Sequence, residues 1–288
     1  MNKIFKVIWN RTTQSLVVVS ELAKGAAKAS CENTHVETKT SFGKIFKLSA
    51  LSLLLLDVTN TAYAATMDGG RANGASSIAI GRATIANGQN SVVIGVSSKA
   101  DIHKAIAIGS DVVATGPDAV AVGTNSVAGV QGSAFGRLAN AAVSGTALGN
   151  EAAASSSATA VGDGAKAKSV SSVAIGKSAT VEREKGIAIG ENATATTNST
   201  NAISIGVSSV SNGTNSTAIG HLARGGYTDS VALGTNANAS NLQTISIGKN
   251  TVNGAISGTA IGTGASIGGW ADNAIAIGTG AAVDGASG

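Results

Sequence analysis

The sequence predicts an all-β fold, a parallel β-solenoid of about fifteen coils, and three observations support this fold class. The motif at residues 172–176, which reads SVAIG, returns in variant form along almost the whole chain after residue 70. Its copies are 13, 14 or 16 residues apart, and residues that favour turns lie between them. A short motif at so regular a period is typical of a solenoid, in which each coil stacks on its neighbours. The copies end at Gly81, Gly95, Gly109, Gly123, Gly136, Gly149, Gly162, Gly176, Gly190, Gly206, Gly220, Gly234, Gly248, Gly262 and Gly278.

The residues before each glycine predict a short β-strand, because apolar side chains alternate at period two. The residue directly before the glycine is large and apolar, and the residue two positions earlier is β-branched or small. The residue between them is Ala in twelve copies, and Val93, Ser204 and Ser246 are the exceptions. We expect the glycine to end the strand, where a tight turn or a close backbone approach needs a residue without a Cβ atom.

The alternation also predicts how this strand is oriented. We expect its large residues to face the coil interior and its Ala row to face outward. Strands that are buried on both faces are apolar throughout, so an outward Ala row indicates close packing against other chains. The alternative is that the Ala row lies on a solvated face.

A second, shorter strand is predicted after each glycine. The third and fifth positions after the glycine are usually small, as at Ala179 and Val181 or at Ala193 and Ala195. Each repeat therefore reads as strand, turn, short strand and turn, which is one coil. Helix is excluded because glycine interrupts every repeat and the apolar spacing is two. Fifteen coils at about 4.8 Å each would form a stack roughly 70 Å long.

Residues 1–64 differ from the repeat array and predict a long secretory leader. The segment combines basic residues with a short apolar run at residues 48–56 and an Ala-Tyr-Ala sequence at residues 62–64, which is the pattern of a signal peptide. We expect cleavage between Ala64 and Ala65. The apolar run is too short to span a bilayer, and a buried core helix is the alternative.

Removing the leader changes what the composition implies. The leader holds eight of the twenty Lys and Arg residues and four of the sixteen Asp and Glu residues, so residues 65–288 carry twelve of each and are formally neutral. Nucleic acid is therefore not an expected partner. The single cysteine, Cys31, also lies in the leader, so no disulfide is expected in the array.

Two parts of the sequence resemble known families. Residues 1–10 (MNKIFKVIWN), 13–14 (TQ) and 17–23 (VVVSELA) resemble the extended signal peptide region of large Gram-negative autotransporters. The repeats from Gly81 to Gly278 resemble the head repeats of the YadA-like trimeric autotransporter adhesins. This resemblance implies a left-handed parallel β-roll built as a homotrimer. No neck motif, coiled-coil heptads or membrane-anchor strands are visible, so we expect a fragment or a truncated product whose attachment to the outer membrane needs an anchor beyond this chain.

The sequence shows no pattern for catalysis, a metal or a cofactor. His103 and His221 are the histidines of residues 65–288, and they lie far apart without the context of a catalytic triad. Residues 176–178 (Gly-Lys-Ser) lack the upstream glycine of a phosphate-binding loop. The charged run at residues 182–185 is expected to be a solvated turn. The chain is therefore predicted not to be an enzyme.

The resemblance implies binding as the function. In the YadA-like family, Asn-Ser-Val-Ala-Ile-Gly-x-x-Ser segments are associated with collagen, and residues 90–98 are most similar to them, with Val93 in place of Ala. The candidate matrix-binding residues are Asn90, Ser91, Val92, Val93, Ile94, Gly95 and Ser98. The implied function is a surface adhesin head that attaches to host extracellular matrix or cells and aggregates cells.

Two alternatives from other classes stay open at the level of sequence. The first is a structural spacer or surface-layer protein whose repeats set length and bind no specific ligand. The second is a β-helical enzyme that acts on polysaccharides, which would need a cluster of charged residues on one face.

Overall fold

The computed structural model of the chain describes residues 5–10, 15–20, 64–196 and 198–285, which belong to two separate units, Met1–Asn60 and Thr61–Gly288. In the first unit, β1 (Phe5–Asn10) and β2 (Ser15–Ser20) form an antiparallel pair in which Phe5 lies opposite Ser20. The predicted apolar run and residues 62–63 of the cleavage pattern lie outside the described residues. Within the described ranges, no helix is long and apolar enough to cross a membrane.

The second unit consists of two parallel sheets of sixteen strands each, and strands of the two sheets alternate along the chain. The first sheet contains β3 (Ala65–Met67), β5 (Ile78–Ile80), β7 (Val92–Val96), β9 (Ile106–Ser110), β11 (Val120–Val122), β13 (Ser133–Phe135), β15 (Thr146–Leu148), β17 (Thr159–Val161), β19 (Val173–Ile175), β21 (Ile187–Ile189), β23 (Ile203–Ile205), β25 (Thr217–Ile219), β27 (Val231–Leu233), β29 (Ile245–Ile247), β31 (Thr259–Ile261) and β33 (Ile275–Ile277).

The second sheet is built from the two-residue strands that follow the repeat glycines. It contains β4 (Arg71–Ala72), β6 (Ile85–Ala86), β8 (Lys99–Ala100), β10 (Val113–Ala114), β12 (Val127–Ala128), β14 (Asn140–Ala141), β16 (Ala153–Ala154), β18 (Lys166–Ala167), β20 (Thr180–Val181), β22 (Thr194–Ala195), β24 (Val210–Ser211), β26 (Arg224–Gly225), β28 (Asn238–Ala239), β30 (Val252–Asn253), β32 (Ser266–Ile267) and β34 (Ala282–Val283).

The pairing register places equivalent repeat positions side by side, which confirms the predicted solenoid. In β19 and β21, Ala174 pairs with Ala188 and Ile175 with Ile189. The backbone N–H of Gly176 donates to the carbonyl oxygen of Val161 in the preceding coil at 2.8 Å, so each coil is hydrogen-bonded to its neighbour. The sequence predicted about fifteen coils and the described array has sixteen. The additional one begins at β3, where Asp68 and not glycine follows the strand.

The predicted orientation of the first strand is wrong. Its Ala row faces the interior, where Ala174 is fully buried, and the large residues on either side, such as Val173 and Ile175, face outward. The physical reason is the size of the coil. Strands of three and two residues joined by short corners leave a thin interior, and the inward position of the first strand holds Ala, Ser or Val in every coil from β5 onward. The larger inward residues, Asn253 and Ile267, lie on the second strand. The exceptions to the Ala row, Val93, Ser204 and Ser246, are also fully buried.

The prediction for the second strand is confirmed. The third and fifth positions after the glycine, represented by Ala179 and Val181, are both fully buried and face the first sheet. Among the described residues, buried hydroxyls make hydrogen bonds within their coil or to the next one, and Ser216 is the exception because its hydroxyl has no partner. The Oγ of Ser211, for example, donates to the carbonyl oxygen of Ile203 at 2.5 Å across the interior.

All variation in repeat length falls in one of the two corners. The corner that contains the repeat glycine is here called the glycine corner. From β5 onward it has four residues between the two strands of each coil. The two exceptions are the coils in which β7 and β9 extend beyond the glycine and shorten this corner. The other corner, here called the variable corner, has four, five or seven residues. The 16-residue repeats carry their additional residues here, before β23 and before β33.

Candidate binding surfaces

The outer face of the first sheet, here called the apolar face, is a continuous apolar surface along the stack. Two columns of outward side chains run along it, one made of the residues directly before the glycines and one made of the residues two positions earlier. The first column is large and apolar in every coil from Ile80 to Ile277. Ile175 is 37% exposed in the middle of the stack. So long an apolar surface marks a place where a protein partner packs.

In the candidate matrix-binding segment at residues 90–98, some side chains are buried in the fold and others are exposed at the surface. Ser91 is buried, and its hydroxyl donates to the carbonyl oxygen of Gly88 at 2.6 Å. Val93 fills the interior. The hydroxyl of Ser98 donates to the carbonyl oxygen of Gly109 at 2.9 Å and accepts from the N–H of Val112 at 3.1 Å. The Ser91 bond therefore closes its own corner and the Ser98 bonds join two successive coils, so these residues belong to the scaffold.

The remaining candidates include the positions that reach the surface. Asn90 lies in the variable corner with a φ of 57°, and its exposed side chain makes no hydrogen bond within the described residues. Val92 and Ile94 point outward on the apolar face. Gly95 has a φ of 136°, and a Cβ atom there would lie 1.8 Å from the carbonyl oxygen of Gly109, so this position is structural. Asn90 is thus the candidate with a free polar group.

Charged residues pair between or within coils along the surface. Arg137 forms an ion pair with Glu151 at 2.8 Å, in the next coil. Lys168 does the same with Glu182 at 2.5 Å, which places part of the predicted charged turn in an ion pair. The rest of that turn is exposed, as expected. Exposed pairs of this kind contribute little to stability, on the order of 0–1 kcal/mol each.

The two histidines of the array lie far apart, as the sequence indicated. His103 is exposed in the variable corner after β8, and His221 is exposed in the glycine corner after β25. Among the described residues, no group of three or more His, Cys, Asp or Glu side chains is arranged to hold a metal ion. The proposed cleavage residues Ala64 and Ala65 are both exposed, and Ala65 is the first residue of β3.

One surface feature was missed by the sequence analysis. A groove on the outer face of the second sheet crosses β24, β26 and β28 and is lined by Arg224, Tyr227 and Asn238 among others. The sequence contains a signal for this groove. Arg224 and Tyr227 lie close together where most repeats have small residues, and Tyr227 is one of the three aromatic residues of positions 65–288.

Two family models match the chain. The model described as the extended signal peptide of the type V secretion system matches residues 1–46. The model described as the YadA head domain repeat (2 copies) matches residues 72–95, 86–111, 114–133, 156–179, 198–223 and 228–251. The first set lies in the predicted leader and the second in the repeat array.

Two individual proteins are also similar to the chain. The trimeric autotransporter adhesin AtaA of Acinetobacter sp. (strain Tol 5) is 40% identical over 74 residues, which are 23% of this chain and 2% of AtaA. The chain therefore spans a small fraction of the length of this relative. The crystal structure of the collagen-binding domain of the Yersinia adhesin YadA is 24% identical over 64% of this chain and 70% of that chain, with a TM-score of 0.24.

Proposed function

Because the chain belongs to the YadA-like family of trimeric autotransporter adhesins, we propose that its array is the head of a surface adhesin that attaches to host extracellular matrix or cells. The observation that carries this proposal is the run of YadA head repeats behind a type V secretion leader. The family consists of adhesins and not of enzymes. In this proposal, residues 1–64 direct export and are removed after Ala64. Residues 65–288 then remain as the head, which begins at the first strand of the stack.

The head acts as a homotrimer in this proposal, and the apolar face supports it. The Ala row, at which the sequence predicts the interchain contact, fills the coil interior. The outward columns of the first sheet, one of which is large and apolar in every coil from Ile80 to Ile277, replace it as the surface that other copies cover. Burying these side chains contributes about 25 cal/mol for each Å² of apolar area removed from water. The contact recurs in every coil, so many modest contributions add along the stack.

Attachment to matrix is proposed to involve Asn90, and collagen is the first ligand to test. Val92 and Ile94 lie on the apolar face, which other copies cover in this proposal. Within residues 90–98, Asn90 has an exposed amide that makes no hydrogen bond to the described residues. Amides of this kind both donate and accept hydrogen bonds, which suits the peptide groups of an extended matrix protein. A trimer presents three copies, so weak single contacts are reinforced by avidity.

The test is adhesion of the full chain to a collagen-coated surface. Asn90→Gly removes the amide and keeps a residue that tolerates positive φ, so the fold is retained. We expect this variant to adhere several-fold more weakly, because three contacts are lost at once in a trimer. Asn273→Gly is the matched control, since Asn273 is an exposed residue of another variable corner with a φ of 59°. Equal adhesion of the two variants would remove Asn90 from the proposed site.

The structural spacer is the competing function, and the same assay separates it. A folded trimer that adheres to neither collagen nor any other matrix protein or host cell would favour the spacer. Adhesion that needs the folded array would favour the adhesin head.

A further inference from the structure

The groove across β24, β26 and β28 is a candidate ligand site distinct from Asn90 and from the apolar face. It lies on the second sheet, and Asn212, Arg224, Gly226, Tyr227, Asn238 and Ser240 are among its lining residues. Its volume is about 510 Å³, which falls within the range of about 300–1,000 Å³ common for small-ligand sites. Three adjacent strands extend over about 10 Å along the stack, since each coil adds about 4.8 Å.

Three polar groups in the groove have no partner within the described part of the chain. The guanidinium of Arg224, the hydroxyl of Tyr227 and the side-chain amide of Asn238 make no hydrogen bond or ion pair there. Elsewhere on the array, Lys99 pairs with Asp101 at 2.9 Å and Lys168 with Glu182 at 2.5 Å. Arg224 has no such carboxylate, and no Asp or Glu lines the groove. The site therefore carries an uncompensated positive charge.

The other lining residues shape the groove and are already engaged. Asn212 accepts a hydrogen bond from the hydroxyl of Thr196, and the hydroxyl of Ser240 donates to the carbonyl oxygen of Asn253 at 3.0 Å. Gly226 also lines the groove and contributes no side chain to it. Tyr227 is 52% exposed, so its ring is open to contact from outside the chain. The groove thus combines a fixed polar wall with an open aromatic ring.

We propose that this groove binds the carboxylate-bearing sugar of an acidic glycan, with Arg224 on the carboxylate and the ring of Tyr227 against the sugar face. The planar guanidinium matches a carboxylate with two parallel hydrogen bonds. A tyrosine ring offers an apolar surface with a polar tip, which suits the mixed character of a sugar ring. The amide of Asn238 donates to and accepts from sugar hydroxyls. This inference deepens the proposed attachment function by naming a second ligand class, and it rests on that function.

The experiment measures binding of two acidic probes and two neutral probes to the full chain by calorimetry. Hyaluronan tetrasaccharide supplies a uronic acid and 3′-sialyllactose supplies a sialic acid, so the pair identifies which kind of carboxylate sugar fits. Chitotetraose and lactose are the neutral counterparts. We expect at least one acidic probe to bind and the neutral probes to bind at least about tenfold more weakly, since they leave Arg224 unpaired.

Arg224→Thr tests the charge without disturbing the stack, because threonine already occupies the same strand position in β20 and β22. We expect it to weaken binding of the acidic probe about tenfold or more, as loss of a charged hydrogen bond does. Lys166→Thr is the matched control. Lys166 is exposed at the same position of β18 and lies outside the groove, so its loss is expected to change affinity less than about twofold.

Several results would overturn the inference. They are no binding of either acidic probe by the folded chain, equal losses in Arg224→Thr and Lys166→Thr, or equal binding of acidic and neutral probes. Adhesion to collagen is measured on the same preparation. A chain that adheres to collagen without binding acidic probes contradicts the glycan site and leaves the adhesin function intact. A chain that binds acidic probes without adhering to collagen supports the glycan site and contradicts collagen as the ligand.

Discussion

The repeat glycine is required for two separate reasons, and both act on a single residue. Gly176 has a φ of 128°, which side-chain-bearing residues rarely adopt. A Cβ atom at this position would also lie 2.5 Å from the carbonyl oxygen of Gly190 in the next coil. At Gly278, in the last described coil, φ is again 128° but the nearest atom to such a Cβ is 3.9 Å away. Among the described repeat glycines, Gly278 is therefore the one at which the positive φ acts without the steric contact.

We predict that Gly176→Ala disrupts stacking on both sides of its coil, whereas Gly278→Ala loosens only the last coil. The strained φ costs on the order of 1–3 kcal/mol at either site, and the overlap with the next coil adds to it at Gly176. Hydrogen exchange of the backbone amides measures how many coils lose protection in each variant. Loss of protection confined to one coil in both variants would show that the contact between glycines is unimportant.

At the scale of one element, the first strand of each coil is organised around its central small residue. Ala174 is fully buried between the two sheets, with Val173 and Ile175 on the outer face. Val93 shows that the interior accepts one additional branched side chain at this position. A residue much larger than Val would have to separate the sheets, because the short corners limit their distance.

Ala174→Leu is expected to destabilise the array by about 1–3 kcal/mol or more, the usual cost of overpacking a closely packed interior. Thr180→Leu is the control, since it adds a large apolar side chain at an outward position of the second sheet in the same coil. Urea unfolding followed by circular dichroism compares the two. If Thr180→Leu destabilised the protein as much as Ala174→Leu, the assignment of Ala174 to the interior would lose its support.

The whole second unit behaves as a linear stack in which each coil contacts its neighbours, so its stability is spread along the chain. The variable corner absorbs repeats of 13, 14 and 16 residues without changing strand register. The coils with the shortest variable corners, at β13, β15 and β17, pair in the same register as the others. The outer columns of the first sheet are therefore unbroken, which allows one continuous interface with other copies.

We predict a trimer in solution, with three times the mass of one copy, where one copy of the full 288-residue chain has a mass of 27.9 kDa. The double variant Ile175→Asp with Ile189→Asp places two charges on the apolar face and is expected to dissociate it, because an unpaired buried charge is strongly unfavourable. The control, Thr180→Asp with Thr194→Asp, changes two neighbouring coils on the second sheet. Light scattering reports the mass. A folded monomer in the unsubstituted chain, or dissociation in the control alone, would contradict this interface.

The sequence predicted most of the fold and little of the glycan site. The strand positions, the parallel stacking and the glycine-ended repeat all follow from period-two alternation at a near-constant spacing, as the pairing of Ala174 with Ala188 shows. The first coil was missed because Asp68 follows β3 where other coils have glycine. Arg224 and Asn238 were not linked because they belong to different repeats and lie 14 residues apart along the chain. They become neighbours only when the coils stack.

By itself, the sequence determined that the chain is a secreted array of repeated strands, since the period, the glycines and the leader are properties of the order of residues. Only the tertiary structure decided which side of the strand is inside. In a strand with alternating side chains, neighbouring residues point to opposite faces. When the side chains on both faces are apolar, the pattern does not indicate which face is the inner one. The narrow gap between the two sheets settled this choice, since at the centre of the first strand it holds Ala, Ser or Val and leaves the larger residues of that strand outside for a partner to cover.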